Sequence, residues 1–163
     1  MLLNAFTLLH VLISLVGIAA GVVVVFGMIA SKLLPRWTSI FLWTTVLTSA
    51  TGFLFPFHGF KPSYVVGVLS LIVLALAIYA RNSKRLAGGW RATYVVTAVI
   101  ALYFNFFVLV VQSFEKVPAL HALAPTQTEP PFKIAQLTVL VLFVVLGILA
   151  TVKFHPAVTP QLP

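Results

Sequence analysis

The chain has 163 residues, 61% of them hydrophobic and only 7% charged, with a mean hydropathy of +1.15 and no cysteine. A soluble domain carries about 25% charged residues, so this composition excludes a chain whose whole surface meets water, and the lack of cysteine excludes disulfides and thiolate metal sites. The net charge of +8 does not point to nucleic acid, because the basic residues fall at the ends of apolar runs, where lysine and arginine set membrane topology.

Apolar runs of roughly 20 residues read as transmembrane helices. A β-barrel would alternate apolar and polar residues in segments of about ten, and these runs are apolar on all sides. The sequence predicts an all-α fold, a five-helix transmembrane bundle forming one integral membrane domain over residues 1–163. Its spans lie at about 3–30, 37–55, 63–80, 92–114 and 131–152.

The first span has no basic leader and is far longer than the 7–15 apolar residues of a signal-peptide core, so it reads as a retained helix. One face carries His10, Ser14, Gly17, Gly21 and Met28 at helical spacing. Gly17 and Gly21 form a GxxxG pair, which lets a second backbone approach closely. Packing inside the protein is the first reading of that pair, and dimerisation is the second.

SKLLPR (31–36) is a basic turn followed by Trp37, an interfacial anchor. The outer half of the second span is rich in small hydroxyl residues, including Thr44, Thr45, Thr48, Ser49 and Thr51. In a helix such hydroxyls bond back to their own backbone. They form either a packed interface or the lining of a polar cavity. FLFPFHGFKP (53–62) is a turn that holds His58 and Lys61, and the third span is apolar scaffold. RNSKRLAGGWR (81–91) is the most basic connection, and its Gly88-Gly89 pair separates two helices. In the fourth span Asn105 and Gln112, seven residues apart, share a face.

The connection from Glu115 to Glu129 holds both acidic residues of the chain and is broken by Pro118 and Pro125, with LHAL as a short turn. Thr128 is predicted as the N-cap of the last span. Glu129 then sits at the positive end of the helix dipole, and Pro130 and Pro131 fill the first turn, where missing N–H donors cost little. Gln136, Phe143, Gly147 and Thr151 share one face of that span, with Gly147 as a helix-packing position.

Seven basic residues (Lys32, Arg36, Arg81, Lys84, Arg85, Arg91, Lys153) fall on one side of this threading and three (Lys61, Lys116, Lys133) on the other. The positive-inside rule places the seven in the cytoplasm, with the N-terminus outside and the C-terminus cytoplasmic. His10, Ser14, Thr48, Asn105, Gln112 and Gln136 then all fall in the outer half of the membrane. Polar side chains in hydrocarbon face protein or a cavity. These six are therefore the candidate ligand-binding residues, beneath the Glu115–Glu129 connection. Two readings stay open: the residues bind one another, or they bind an apolar small molecule, a quinone or a haem. A haem or metal would draw on His10 and His58 as ligands; no zinc-type spacing is present.

No acidic or basic residue lies deep in a span, which argues against a proton relay or an ion-coupled transporter. No nucleotide-binding glycine motif and no Ser/His/Asp set is available, so an enzyme would need a bound cofactor. The stretch LVVQSFEKVPALHALAPTQTEPPF resembles the corresponding stretch of short multi-spanning proteins of bacterial inner membranes. That resemblance implies a bacterial inner membrane and brings no activity. The five-span plan on a short chain is also similar to that of the translocator-protein family, although the tryptophan- and proline-rich stretch expected there is missing. The functional expectation is an accessory or scaffold protein that packs with a membrane partner or with itself through the glycine face of the first span. The alternative is a binder of an apolar small molecule, quinone or haem in the outer half.

Overall fold

The computed structural model describes residues 2–55 and 62–157, so the His58 and Lys61 of the sequence reading lie outside the described residues. The helices are α1 (Leu2–Ile29), α2 (Pro35–Gly52), α3 (Pro62–Ile78) with a π-helical turn continuing it (Tyr79–Ser83), α4 (Gly89–Lys116), α5 (Pro118–Leu123) and α6 (Pro130–Lys153). Among the described residues there is no strand. Helices are the outcome that lipid enforces, since each satisfies its own backbone N–H and C=O groups internally. Four of them are long and apolar enough to cross a membrane: Asn4–Ile29, Tyr64–Ser83, Gly89–Lys116 and Pro130–Lys153. The 18-residue α2 begins with Pro35 and Arg36 and carries the hydroxyl residues. It is the least apolar of the long helices.

The chain ends its helices by local chemistry. At the end of α1, Ser31 takes the left-handed conformation (φ 56°). Its N–H donates to Met28 O (2.9 Å), and the Lys32 N–H reaches back to Gly27 O (2.8 Å). This is the Schellman pattern, with serine where glycine is usual. Between α3 and α4, Gly88 is at φ 53°, but Arg85 (47°) and Leu86 (59°) also adopt positive φ. Two consecutive strained residues of this kind persist only where the surroundings hold them. Here the Leu86 N–H is tied to Ala80 O at 3.1 Å. At the start of α6 the N-cap is Glu129 rather than Thr128, with prolines in the first turn. The Thr128 hydroxyl pairs instead with that of Thr126 (2.6 Å). The cap shifts because Glu129 already has the extended backbone that a cap needs (ψ 158°).

Consecutive long helices run antiparallel and close into a bundle in the order α1, α2, α3, α4, α6, with α6 returning to lie parallel to α1. α4 touches each of the other four and carries the most buried side chains, among them Tyr94, Val95, Ala98 and Leu102. Three connections meet at one end. Arg81 donates to Pro35 O (3.2 Å) and approaches Ser39 Oγ (3.4 Å). Arg91 donates to Thr151 O (3.1 Å) and to Phe154 O. The His155 N–H bonds Ser31 Oγ (2.9 Å). The opposite end holds the start of α1, the end of α2 and the α4–α6 connection. Outward faces are predominantly apolar, as with Leu8, Leu12 and Phe26 on α1 and Ile134, Leu137, Val141 and Ile148 on α6. Such faces suit lipid and would be untenable in water.

Candidate functional site

Antiparallel packing of α1 on α2 sets His10 opposite Thr51, Ser14 opposite Thr48, and Gly17 opposite Thr44 and Thr45. A methyl group at position 17 would sit 3.0 Å from Thr44 Oγ1 and 3.3 Å from Thr45 Oγ1. One at position 21 would meet Leu102 Cδ1 at 2.5 Å and the Phe41 ring at 2.8 Å. The glycines therefore admit the α2 side chains into the surface of α1, and their face is turned to the interior of this chain. Gly147 faces α4 as well, but a methyl there would find Val99 at an ordinary 3.5 Å.

Hydroxyls fill the seam. Thr51 donates to Leu47 O at 2.6 Å, which uses its only proton. The 2.9 Å contact with His10 Nδ1 is then donated by the histidine, and Nε2 keeps a lone pair. Ser14 donates to His10 O (2.7 Å) and lies 3.4 Å from Thr48 Oγ1. Above the imidazole the Phe55 ring stands edge-on at 5.0 Å, with Phe6 behind it. At the foot of the seam, Asn105 donates from α4 to the fully buried Thr45 hydroxyl at 3.2 Å. On the other side of α2, Ser49 bonds Ser70 of α3 (3.1 Å).

The six polar residues singled out from the sequence thus separate. His10, Ser14 and Thr48 lie together, and Asn105 meets Thr45 in the same seam about two helical turns deeper. Gln136 stands apart. Its amide donates to Phe107 O at 3.2 Å, and its Oε1 is buried without a partner. Residues 105 and 107 point to nearly opposite sides of a helix, so α4 stands between the two amides. Gln112 is exposed and does not reach the bundle interior. It shares the Asn105 face, but α2 runs parallel to α4 and its helix ends at Gly52. Among the described residues no three His, Asp or Glu side chains come together to hold a metal.

Sequence reasoning placed Thr45 in the hydroxyl run but not among the candidate binding residues, and it gave Ser70 no role; each is buried and bonded to another helix. The available signal was a hydroxyl in an otherwise apolar run, which in lipid must face protein. It also missed an apolar groove of about 410 Å³ between α4 and α6, lined by Val96, Val99, Tyr103, Leu140, Phe143 and Gly147 among others.

The α4–α6 connection is held by its own polar groups. Glu129 Oε1 accepts from the Thr126 hydroxyl (2.8 Å) and N–H (3.2 Å), and Oε2 accepts from the Thr128 N–H (3.0 Å). These bonds, the Thr126 hydroxyl first, hold the Glu129 carboxyl below the usual carboxylate range. Gln127 reaches back to Val111 O at 3.1 Å, and Phe114 meets Phe132 edge-on. α5 packs on α4.

Set beside known protein families, curated proteins and solved structures, the chain matches none of them.

Proposed function

We infer that this is a five-span protein of a bacterial inner membrane, with its N-terminus outside and its C-terminus in the cytoplasm. It acts as an accessory or scaffold subunit that packs with a membrane partner or with itself. One observation carries the functional reading: the polar groups of the α1–α2–α4 seam are partnered by one another, so the seam works as glue. The glycine face is already occupied by α2. The docking face is therefore α6, the least buried of the four long apolar helices. The topology rests on the basic residues. Seven gather at the end where the α1–α2 and α3–α4 connections meet the tail, and Lys116 and Lys133 lie at the other.

Because the chain has no cysteine, single cysteines can be placed without background. Val141→Cys and Ile148→Cys on α6 should give cross-linked adducts with a second copy or a partner in native membranes, while Leu12→Cys on α1 should not. Equal cross-linking from both helices would remove the scaffold reading. An absorption spectrum and native mass spectrum of the purified protein test the alternative. A Soret band, or a retained quinone lost on His10→Ala, would replace the scaffold with a binder that uses the free Nε2.

A further inference from the structure

Where the connections of the basic end meet, a second cavity of about 120 Å³ opens between the end of α1, the start of α2 and α4. Its walls include Lys32, Thr38, Arg81, Leu86, Tyr94 and Phe154. Thr38 and Tyr94 are buried, and both line the cavity together with Arg81.

Among the described residues the charge in this cavity is unbalanced. Arg81 is half-buried and engages only neutral oxygens, Pro35 O and Ser39 Oγ. These leave guanidinium donors over, since arginine has five. The two acidic residues of the chain, Glu115 and Glu129, are both at the opposite end, and among the described residues the one ion pair is Lys116 with Glu115. A partly desolvated guanidinium without a counter-charge is costly. The first N–H groups of α2 point to this end, as do the last carbonyls of α1 and of the helix that carries Arg81, so helix dipoles of both signs meet here. Topology alone requires lysine and arginine near this surface. It does not require one of them to line a cavity with a buried tyrosine and a buried threonine.

We propose that this cavity binds a phosphate group, with Arg81 and Lys32 as its charge partners and the Thr38 and Tyr94 hydroxyls available as neutral donors. Guanidinium forks suit phosphate oxygens, and the cavity lies at the depth where the headgroup of an anionic phospholipid reaches a membrane protein. The inference rests on the chain lying in a membrane and not on the scaffold reading, so it stands or falls separately.

The test uses the full chain in nanodiscs of phosphatidylcholine with a minor share of phosphatidylglycerol, read by native mass spectrometry after release. Wild type should keep phosphatidylglycerol in preference to phosphatidylcholine. Arg81→Gln should weaken that retention about tenfold or more, the value of a charge-assisted contact, and Lys32→Gln should weaken it less. Arg85→Gln removes the same charge from the same end outside the cavity and should leave retention near wild type. Equal losses in Arg81→Gln and Arg85→Gln would reduce the effect to general attraction and overturn the site. So would equal retention of the two lipids by wild type. If millimolar inorganic phosphate displaces the lipid from wild type, the site accepts free phosphate too; if it does not, the lipid headgroup is the source. Should Arg81→Gln fail to fold, Lys32→Gln against Arg85→Gln makes the same comparison.

Discussion

Two helix pairs in this bundle are built on different principles. Where α1 meets α2, small residues and hydroxyls bring the backbones together, with threonine oxygens and the Phe41 ring filling the space over Gly17 and Gly21. Where α4 meets α6, large side chains do the work. Phe143 packs against Phe106 and Tyr103 at 5.1 and 5.9 Å between ring centroids, and a groove is left beside them. Lipid tails are as apolar as leucine, so burying a leucine between helices gains little in a membrane; close fit and interhelical hydrogen bonds decide instead. By that measure the first seam is the stable one. The second is held by rings, by Arg91 donating to Thr151 O and Phe154 O at one end, and by the Gln136 amide, whose own oxygen is orphaned.

The largest expected effect follows from the glycines. Gly21→Leu puts a side chain where Phe41 and Leu102, both fully buried, cannot yield. Overpacking of this kind costs about 1–3 kcal/mol or more, and thermal melting in detergent should fall markedly. Gly147→Ala, with 3.5 Å to its nearest neighbour, should melt within about 0.5 kcal/mol of wild type. If the two variants melt alike, the distinction between the seams is wrong.

The amides give a smaller and more informative contrast. Asn105→Leu removes the donor to Thr45 and should cost about 0.6 to 1.7 kcal/mol, the range for interhelical bonds in membranes. Gln136→Leu removes a similar bond but also the unpartnered oxygen. Replacing such a group by an apolar one of like shape is close to neutral or stabilising. Equilibrium unfolding in mixed micelles should therefore separate the two by sign or by at least half the Asn105 loss. Equal losses would mean that Gln136 Oε1 has a partner, such as a bound molecule.

How much of this was legible beforehand follows from the same residues. Long apolar runs identified α1, α3, α4 and α6, because in lipid length and apolarity nearly determine a spanning helix. The GxxxG pair and the hydroxyl run were visible too, and they lie on facing sides of α1 and α2. The division of polar groups between two sides of α4 could not be read. Spacing says that Asn105 and Gln112 share a face, but not that α2 stops level with Gln112. Nor does it say that α6 approaches α4 from the side away from Asn105. Those facts belong to the order of helices around the bundle, which the periodicity of single helices does not encode. The cavity at the basic end was hidden for a related reason. Lys32, Arg81 and Tyr94 come from three separate segments, and counting basic residues gave them only a topological meaning.

The smallest effect concerns the connection that joins the second pair. Glu129 accepts three hydrogen bonds from Thr126 and Thr128, which depress its folded pKa below the ordinary value of 4.5. A depressed carboxyl stabilises the fold above its unfolded pKa, and that contribution disappears as pH falls through the folded value. The effect should therefore be complete at neutral pH, begin to decline near 4.5 and be gone at lower pH. The carboxyl lies at the surface, partly exposed, so solvent screens it and the change in melting is small. Glu129→Gln should melt slightly below wild type at pH 7, and the two curves should converge in acid. Local hydrogen exchange is the sharper readout, because Gln127 ties the same connection to Val111 O. Amides of 126–129 should exchange faster in Glu129→Gln, with those of the α1–α2 seam unchanged. If exchange accelerates in the seam as well, the two helix pairs unfold together, and the difference between them is one of composition and not of independent stability.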